Sequence, residues 1–276
     1  MVTKTRPEDK PRFRRLYADI ETSPNVVLSW RVGYDVKLDH DNIIQERKII
    51  MIGYKFEDED KAHVITWDEN QDDREMLRKF TAIAEQADEI VGHYLDRFDL
   101  PWIRARCLYH GFDPLPPYKT VDTKAWASKH FYFNSNKLDY IASFLGFGHK
   151  IETNFRLWKR IVLYNSQRAL EEMAKYCKRD VVLLERVFHK LQGCSRSKTH
   201  VGVFEGGEKW SCSHCGSKRM RKSKTRVTSC GMVQHQMLCN DCKRFTTITQ
   251  KAYDGYRKYV RGENPNPGRA PCCCRS

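Results

Sequence analysis

The sequence contains no long apolar run. Its mean hydropathy is -0.69, and no stretch reaches the about 20 apolar residues that a membrane-spanning helix needs. Residues 1–10 are rich in charge and lack the apolar centre of a signal peptide. These absences argue against a membrane protein and against secretion, and they predict a cytoplasmic location. Cysteine thiols are expected to stay reduced there, so the 11 cysteines favour metal binding over disulfides.

Acidic residues are scarce toward the C-terminus. Residues 196–276 contain 17 Lys and Arg but only 5 Asp and Glu, whereas residues 1–195 contain 32 and 30. Nearly all of the net charge of +14 therefore lies in the last third of the chain. Such a local excess favours contact with a polyanion, most simply a nucleic-acid backbone. A solvated basic tail is the alternative.

The apolar pattern alternates between strand and helix spacing, without an internal repeat. Strands are predicted at residues 16–20, 47–56, 62–67 and 89–92, and helices at 72–87, 101–109, 138–145 and 167–191. Asn165 and Ser166 are candidate caps of the last helix. This alternation predicts an α/β domain. The expected organisation is an α/β domain at 14–193, a linker at 194–207, a small basic module at 208–262 and a flexible tail at 263–276.

Carboxylates recur at the ends and faces of these predicted elements. Asp19 and Glu21 are two residues apart on a strand, so both side chains point to one face. Tyr176 and Asp180 are four residues apart on the last helix and share a face. Asp99 lies where a strand leads into a helix that Pro101 can start. Buried carboxylates that converge in this way need a shared proton, an Arg or Lys partner, or a divalent cation.

Three short motifs occur in a familiar order: Asp19-Ile20-Glu21-Thr22, Phe98-Asp99-Leu100-Pro101 and Tyr176-x-x-x-Asp180. With them the chain resembles the DnaQ-like 3′–5′ exonucleases, DEDDy branch, over most of residues 14–192. The resemblance implies a ribonuclease H-like mixed sheet flanked by helices. It also implies that two Mg²⁺ or Mn²⁺ ions cleave a terminal phosphodiester and that Tyr176 positions the attacking water. The implied metal ligands are Asp19, Glu21, Asp99 and Asp180.

The segments 118–123, 135–140 and 157–158 also resemble phage-type members of this family. This resemblance favours a phage origin, in which case the protein would be located in the host cytoplasm. One departure stands before Asp99, where family members often carry Asn and this chain has His93-Tyr94-Leu95. Among competing residues, Asp96 is expected to be a solvated or capping acid. Asp122 and His93 are expected to be structural.

Two Cys-x-x-Cys pairs lie in the basic region. Cys212, Cys215, Cys239 and Cys242 can close a tetrahedral zinc site, and the 23 residues between the pairs suit short strands. The segment resembles a zinc ribbon with one structural Zn²⁺. Tight turns are expected just after the pairs, at Gly216 and Lys243. Cys230 and His235 are alternative ligands without paired spacing.

Six cations lie between the cysteine pairs, on a predicted loop or hairpin suited to phosphate contact: Lys218, Arg219, Arg221, Lys222, Lys224 and Arg226. Tyr253, Tyr256 and Tyr259 are three residues apart and would either stack on bases or cover the core of the ribbon. The run 272–274 of three cysteines has no functional explanation.

Together these patterns predict a metal-dependent 3′–5′ exonuclease that hydrolyses single-stranded nucleic acid, with DNA favoured, to nucleoside monophosphates. No polymerase region is recognisable, so proofreading would need a separate polymerase or replication complex as partner. One alternative is an RNA-trimming exonuclease of the same fold. Another is a nucleic-acid-binding replication accessory protein that does not use its metal site.

Overall fold

The computed structural model describes residues 12–33, 35–113, 115–149, 154–194 and 198–263. They divide into two compact units, one within residues 14–194 and a second that comprises residues 12–13 and 198–263. The strands are β1 (Arg15–Thr22), β2 (Val26–Val27), β3 (Ile43–Gln45), β4 (Ile49–Phe56), β5 (His63–Thr66), β6 (Glu89–Gly92), β7 (Lys119–Asp122), β8 (Met220–Val227), β9 (Val233–Cys239) and β10 (Phe245–Thr249). The helices are α1 (Arg74–Ala84), α2 (Asp99–Tyr109), α3 (Thr123–His130), α4 (Leu138–Phe144), α5 (Phe155–Val162), α6 (Gln167–Leu191), α7 (Val201–Phe204) and α8 (Gln250–Val260).

The first unit is built on a five-stranded mixed sheet with strand order β5-β4-β1-β6-β7. The central strand β1 is antiparallel to β4 and parallel to β6. Its alternate residues enter two cores, with Leu16 and Ile20 packed with residues of α1 and α2, and Tyr17 packed with residues of α3, α4 and α6. The predicted α/β class and the mixed sheet between helices are confirmed.

The predicted helices 167–191 and 138–145 agree with α6 and α4 to within one residue. The Ser166 hydroxyl accepts a hydrogen bond from the Ala169 amide and caps α6, whereas Asn165 donates to the Glu69 carbonyl and is not the cap. Helix α2 begins at Asp99, two residues before the predicted start. Pro101 lies in its first turn, where the missing N–H costs no helical hydrogen bond.

Five elements of the first unit were not predicted, namely β2, β3, β7, α3 and α5. All are short, with two to eight residues. Asp122 ends β7 and caps α3, since its carboxylate accepts hydrogen bonds from the Lys124 and Ala125 amides. Tertiary packing stabilises elements of this length more than their own sequence pattern does.

The second unit is a three-stranded antiparallel sheet with strand order β10-β9-β8, and α8 packs on one of its faces. Its core contains Trp210, Met237 and Ile248. The Tyr253 ring stacks 4.0 Å from the His235 ring, and the Tyr256 hydroxyl donates to the Met220 carbonyl at 2.8 Å. Of the two interpretations offered for these tyrosines, cover of the ribbon core is therefore the one that the structure supports.

The segment 194–207, predicted as a linker, contains the short helix α7. Val201 of this helix is buried, and the His200 side chain caps it through the Val203 amide. The 272–274 cysteine run and most of the predicted tail lie outside the described residues. Within those residues, we find no helix with the length and apolar character required to span a bilayer.

Candidate metal centres

Three acids predicted from the sequence meet on one face of the first sheet. Asp19 and Glu21 share the face of β1 that carries Tyr17, and that face packs against α6. Asp180 is buried on α6. One carboxylate oxygen from each of the three lies within 4.8 Å of the others. Carboxylate oxygens at this separation are a donor set that suits Mg²⁺ or Mn²⁺.

A glycine lets α6 approach the sheet at this level. Gly53 on β4 pairs with Asp19 on β1, and it faces Cys177 one turn before Asp180. A Cβ atom at Gly53 would lie 2.7 Å from the Cys177 Sγ and 3.3 Å from the Cys177 carbonyl oxygen. Any other residue at position 53 would therefore have to displace part of α6, which carries Asp180.

Asp99, the fourth predicted acid, lies outside this three-acid group and contacts β1 from the start of α2. Its Oδ1 accepts a hydrogen bond from the Ile20 amide at 3.1 Å, between Asp19 and Glu21 in the sequence. Burial raises the pKa of the Asp99 carboxyl well above its usual range, and the negative charge of Asp19 raises it further. The ionised form of Asp99 is therefore disfavoured unless a cation lies nearby, and a bound divalent cation would supply that charge.

Tyr176 lies one helical turn before Asp180 on α6 and is half-buried. The residue between them that faces the sheet, Cys177, is fully buried. Burial raises the pKa of its thiol well above the ordinary value, and the charges of Asp19, Glu21 and Asp180 add to this effect. Cys177 is therefore a neutral packing residue beside the acids.

The loop before Asp99 has a strained backbone. Tyr94 has φ +76°, a conformation that bulky residues rarely adopt. The Asp122 carboxylate accepts a hydrogen bond from the Tyr94 amide at 3.0 Å, and the Tyr94 carbonyl accepts one from the Phe98 amide at 2.9 Å. The Lys124 ammonium lies 3.7 Å from the centre of the Tyr94 ring. These contacts fix the conformation of Tyr94, which lies in the segment 93–95, where this chain departs from the family pattern.

The competing residues near the acids have structural positions. Asp96 is exposed, and Asp122 is the cap of α3 described above. His93 contacts the Thr123 hydroxyl at 2.9 Å and the Asn136 carbonyl oxygen at 2.8 Å. The predictions of a solvated Asp96 and of structural Asp122 and His93 agree with these contacts.

A second acid group, not anticipated from the sequence, comprises Asp72, Asp73 and His110. The guanidinium of Arg106 binds Asp73 through two hydrogen bonds of 2.8 Å, and His110 Nε2 lies 2.6 Å from Asp73 Oδ1. Although burial raises the pKa of Asp73, the hydrogen bonds from Arg106 and His110 outweigh it and leave the pKa lowered. The Arg106 guanidinium already neutralises Asp73, so we assign this group to the stability of the fold.

The four paired cysteines converge in the second unit, with all four sulfurs within 4.8 Å of one another. The Cys212 and Cys242 sulfurs are 3.5 Å apart, and those of Cys215 and Cys239 are 3.7 Å apart. A tetrahedron of Zn–S bonds of about 2.3 Å has edges of about 3.8 Å, so the set fits one zinc ion.

Local turns produce this arrangement. Gly216 and Lys243 follow the two pairs and have φ values of +70° and +59°. The Gly216 amide donates to the Cys212 carbonyl, and the Lys243 amide donates to the Cys239 carbonyl. The tight turns predicted at these two positions are therefore present.

Hydrogen bonds from the Cys215 thiol and from nearby amides lower the pKa of Cys212 to about 4, although burial opposes them. Burial raises the pKa of Cys242 to about 11.

The two alternative ligands lie outside the four-sulfur group. Cys230 is exposed, and His235 is hydrogen bonded to Thr225 and Gln250. The geometry thus favours the paired cysteines as the ligand set.

The six cations predicted to contact phosphates lie on or next to β8, the first strand of the hairpin with β9. All residues of β8 after Met220 are exposed. Arg219 forms an ion pair of 2.8 Å with Asp241, and the Lys222 ammonium lies 5.0 Å from the centre of the Tyr253 ring. Of the six cations, Arg219 and Lys222 therefore already contact another side chain.

Comparison with known proteins agrees with this architecture. The family model of the RNase H superfamily matches residues 40–192, which include Asp99, Tyr176 and Asp180 but not β1. A search of curated proteins found no match. Among solved structures, the family B DNA polymerase from the hyperthermophilic archaeon Pyrobaculum calidifontis is similar, with a TM-score of 0.52 and 16% identity.

The alignment with the polymerase covers 79% of this chain and 31% of the polymerase chain, so this chain spans less than a third of that length. At this identity the likeness shows the fold alone. The family match covers more than half of the sequence and includes four of the five strands of the mixed sheet. The chain belongs to the RNase H superfamily.

Proposed function

We propose that the protein is a metal-dependent 3′–5′ exonuclease that acts on single-stranded nucleic acid, with DNA favoured, and releases nucleoside monophosphates. Membership in the RNase H superfamily supports nuclease activity in general. The observation that carries the proposal is the convergence of Asp19, Glu21 and Asp180 within 4.8 Å.

In this proposal Asp19, Glu21, Asp99 and Asp180 hold two Mg²⁺ or Mn²⁺ ions. Bound divalent cations make water nucleophilic at neutral pH and stabilise charge on the leaving oxygen. The protein contributes fixed positions, since β1 places two acids, α6 places Asp180 and the start of α2 places Asp99. Tyr176, one turn from Asp180, orients the attacking water.

The second unit serves in this proposal as a module that holds the substrate. One structural Zn²⁺ on Cys212, Cys215, Cys239 and Cys242 maintains the sheet. The cations Lys218 to Arg226 contact phosphates without reading sequence. A separate polymerase or replication complex is the proposed partner.

The test is time-resolved digestion of 5′-labelled single-stranded DNA and of RNA with the same sequence, in Mg²⁺. The intact chain should give a ladder that shortens from the 3′ end, and Asp19→Ala should abolish it. Asp96→Ala is the matched control, because Asp96 is an exposed acid outside the cluster. Faster digestion of the RNA would instead indicate an RNA-trimming enzyme. Binding of both strands without digestion would reject catalysis and favour the accessory-protein alternative.

A further inference from the structure

An irregularity in β8 sorts its cations onto two faces. Consecutive strand residues point to opposite faces, so Arg221 and Lys224, three apart, would face opposite ways in a regular strand. The pairing of β8 with β9 shifts between Lys222 and Lys224, as in a β-bulge. Arg221 therefore pairs with Leu238, and Lys224 pairs with Gln236, two residues away on β9. The shift brings both cations to the same face.

That face can be followed across the whole sheet. Leu238 pairs in turn with Phe245 on β10, and Gln236 pairs with Thr247. Further along β8 on the same face, Arg226 pairs with Gln234 of β9. One edge of the face is thus cationic, the middle is mostly polar, and the other edge carries a phenylalanine. We call this surface the open face.

The opposite face is covered. Met237 and His235 on β9 are buried there, and Tyr253 of α8 stacks on His235. Lys222 pairs with Met237 and lies against the Tyr253 ring, so it belongs to the covered face. The two faces of one small sheet therefore carry different groups of cations.

The side chains of the open face remain accessible. Arg221, Lys224 and Arg226 are exposed, and within the described part of the chain none of them forms an ion pair. Phe245 is 50% exposed, although an aromatic ring of this kind usually contributes to a core. A partner of this surface must supply negative charge at one edge and a flat apolar group at the other.

We propose that the open face binds single-stranded nucleic acid, with phosphates along Arg221, Lys224 and Arg226 and a base stacked on Phe245. The two edges are two strand spacings apart, or about 10 Å, which lets one nucleotide chain reach both. Accessible bases are needed for stacking, so a single strand fits better than a duplex. This proposal deepens the role given above to the second unit and rests on it.

The test measures binding of the full chain to a fluorescent oligothymidylate without added Mg²⁺, so that its outcome does not depend on nuclease activity. The variant R221A/K224A/R226A should bind at least about 10-fold more weakly. It should also lower the slope of log affinity against log salt by about 2, because each lost single-strand phosphate contact contributes about 0.7. The control K251A/R257A/K258A removes the same charge from exposed positions of α8, outside the cations of the hairpin. An equal effect of the two triple variants would overturn the proposal.

Stacking is tested separately with Phe245→Ala. This variant should weaken binding to the oligothymidylate about 10-fold, leave the salt slope unchanged and have no effect on an abasic strand of the same length. Phe245→Tyr should retain the affinity. Zinc content and circular dichroism of each variant establish that the ribbon is folded. Equal losses on the abasic strand would show that Phe245 does not stack on a base.

Discussion

The two candidate metal centres are assembled in opposite ways. The cysteine centre draws its ligands from two local turns and the strands between them, and each turn is stabilised by its own backbone hydrogen bond. The proposed ligands of the acid centre come from β1, α2 and α6, which meet only when the sheet and the helices have packed. A site of the first kind folds its surroundings, whereas a site of the second kind is made by a fold that exists without it.

The largest effect should follow from removal of the Zn²⁺ that we propose on the four cysteines. The apparent free energy of zinc binding contributes about 10–16 kcal/mol to the folding of small zinc domains. We therefore expect Cys239→Ser, or chelation, to unfold residues 208–262 while the first unit keeps its structure. Amide hydrogen exchange of the two units measures this difference. Cys230→Ser is the control, because Cys230 is exposed and lies outside the four-sulfur group. Retained protection of β9 in the zinc-free protein would contradict the comparison.

Asp180→Asn should have the reverse effect on the first unit, because it should remove activity and leave the structure stable. Activity should fall by about 10³-fold or more, since even outer-sphere partners of a metal are worth about 10–100-fold. The free energy of unfolding should not fall, because neutralising one of three crowded carboxylates relieves repulsion. Denaturant unfolding and the digestion assay measure the two quantities. Glu171→Gln, an exposed acid on the same helix, should change neither. A variant that loses stability and activity together would show that Asp180 is structural.

The group around Asp73 sharpens the comparison, because here a protein cation takes the place of a metal. Asp73→Asn breaks a buried pair with Arg106 and should lower the unfolding free energy by about 3–5 kcal/mol at pH 7. The folded-state pKa of Asp73 lies below its ordinary value of 3.8, so the stability it contributes is present above that pH. It is lost as the pH falls through the folded-state pKa.

The unfolding free energies of the intact chain and of Asp73→Asn, measured in urea, should therefore differ most at neutral pH. The difference should begin to shrink below about pH 4 and disappear below the folded-state pKa of Asp73. The variant Asp72→Asn is a suitable control, because Asp72 is half-exposed and lies 3.6 Å from His110 rather than against Arg106. A difference that stays constant down to pH 3 would exclude the ionisation of Asp73 as its source.

Much of the acid centre was predictable because its motifs obey simple periodicity. The two-residue spacing of Asp19 and Glu21 and the four-residue spacing of Tyr176 and Asp180 indicate shared faces whatever the rest of the chain does. The cysteine centre was equally predictable, because Cys-x-x-Cys spacing favours a turn around a metal. In each case the signal lies within a few residues.

Features that depend on pairing between distant segments were not predictable. The bulge in β8 reverses the face of Arg221 relative to Lys224, and only its register with β9 reveals this. The strained Tyr94 depends on a hydrogen bond to Asp122 from another strand. One signal was present but not used, because the run of β-branched residues from Thr246 to Thr249 is typical of a strand.

The smallest expected effect tests the contact that joins the sheet to α6. Gly53→Ala adds a Cβ atom 2.7 Å from the Cys177 Sγ and 3.0 Å from a Val181 methyl group, so these side chains or the α6 backbone must shift. We expect the unfolding free energy to fall by about 1–3 kcal/mol. Activity should also fall, since the same helix carries Tyr176 and Asp180.

Gly193→Ala is the control, because a Cβ atom there meets nothing within 4 Å. Adding Cys177→Ala to Gly53→Ala removes the closest clash and should restore part of the stability and of the activity, with a coupling energy of about 0.5–3 kcal/mol. Restoration of stability without activity would mean that the separation of the acids does not depend on this contact. Restoration of both would show that a glycine on β4 sets the distance between β1 and the helix that completes the acid centre.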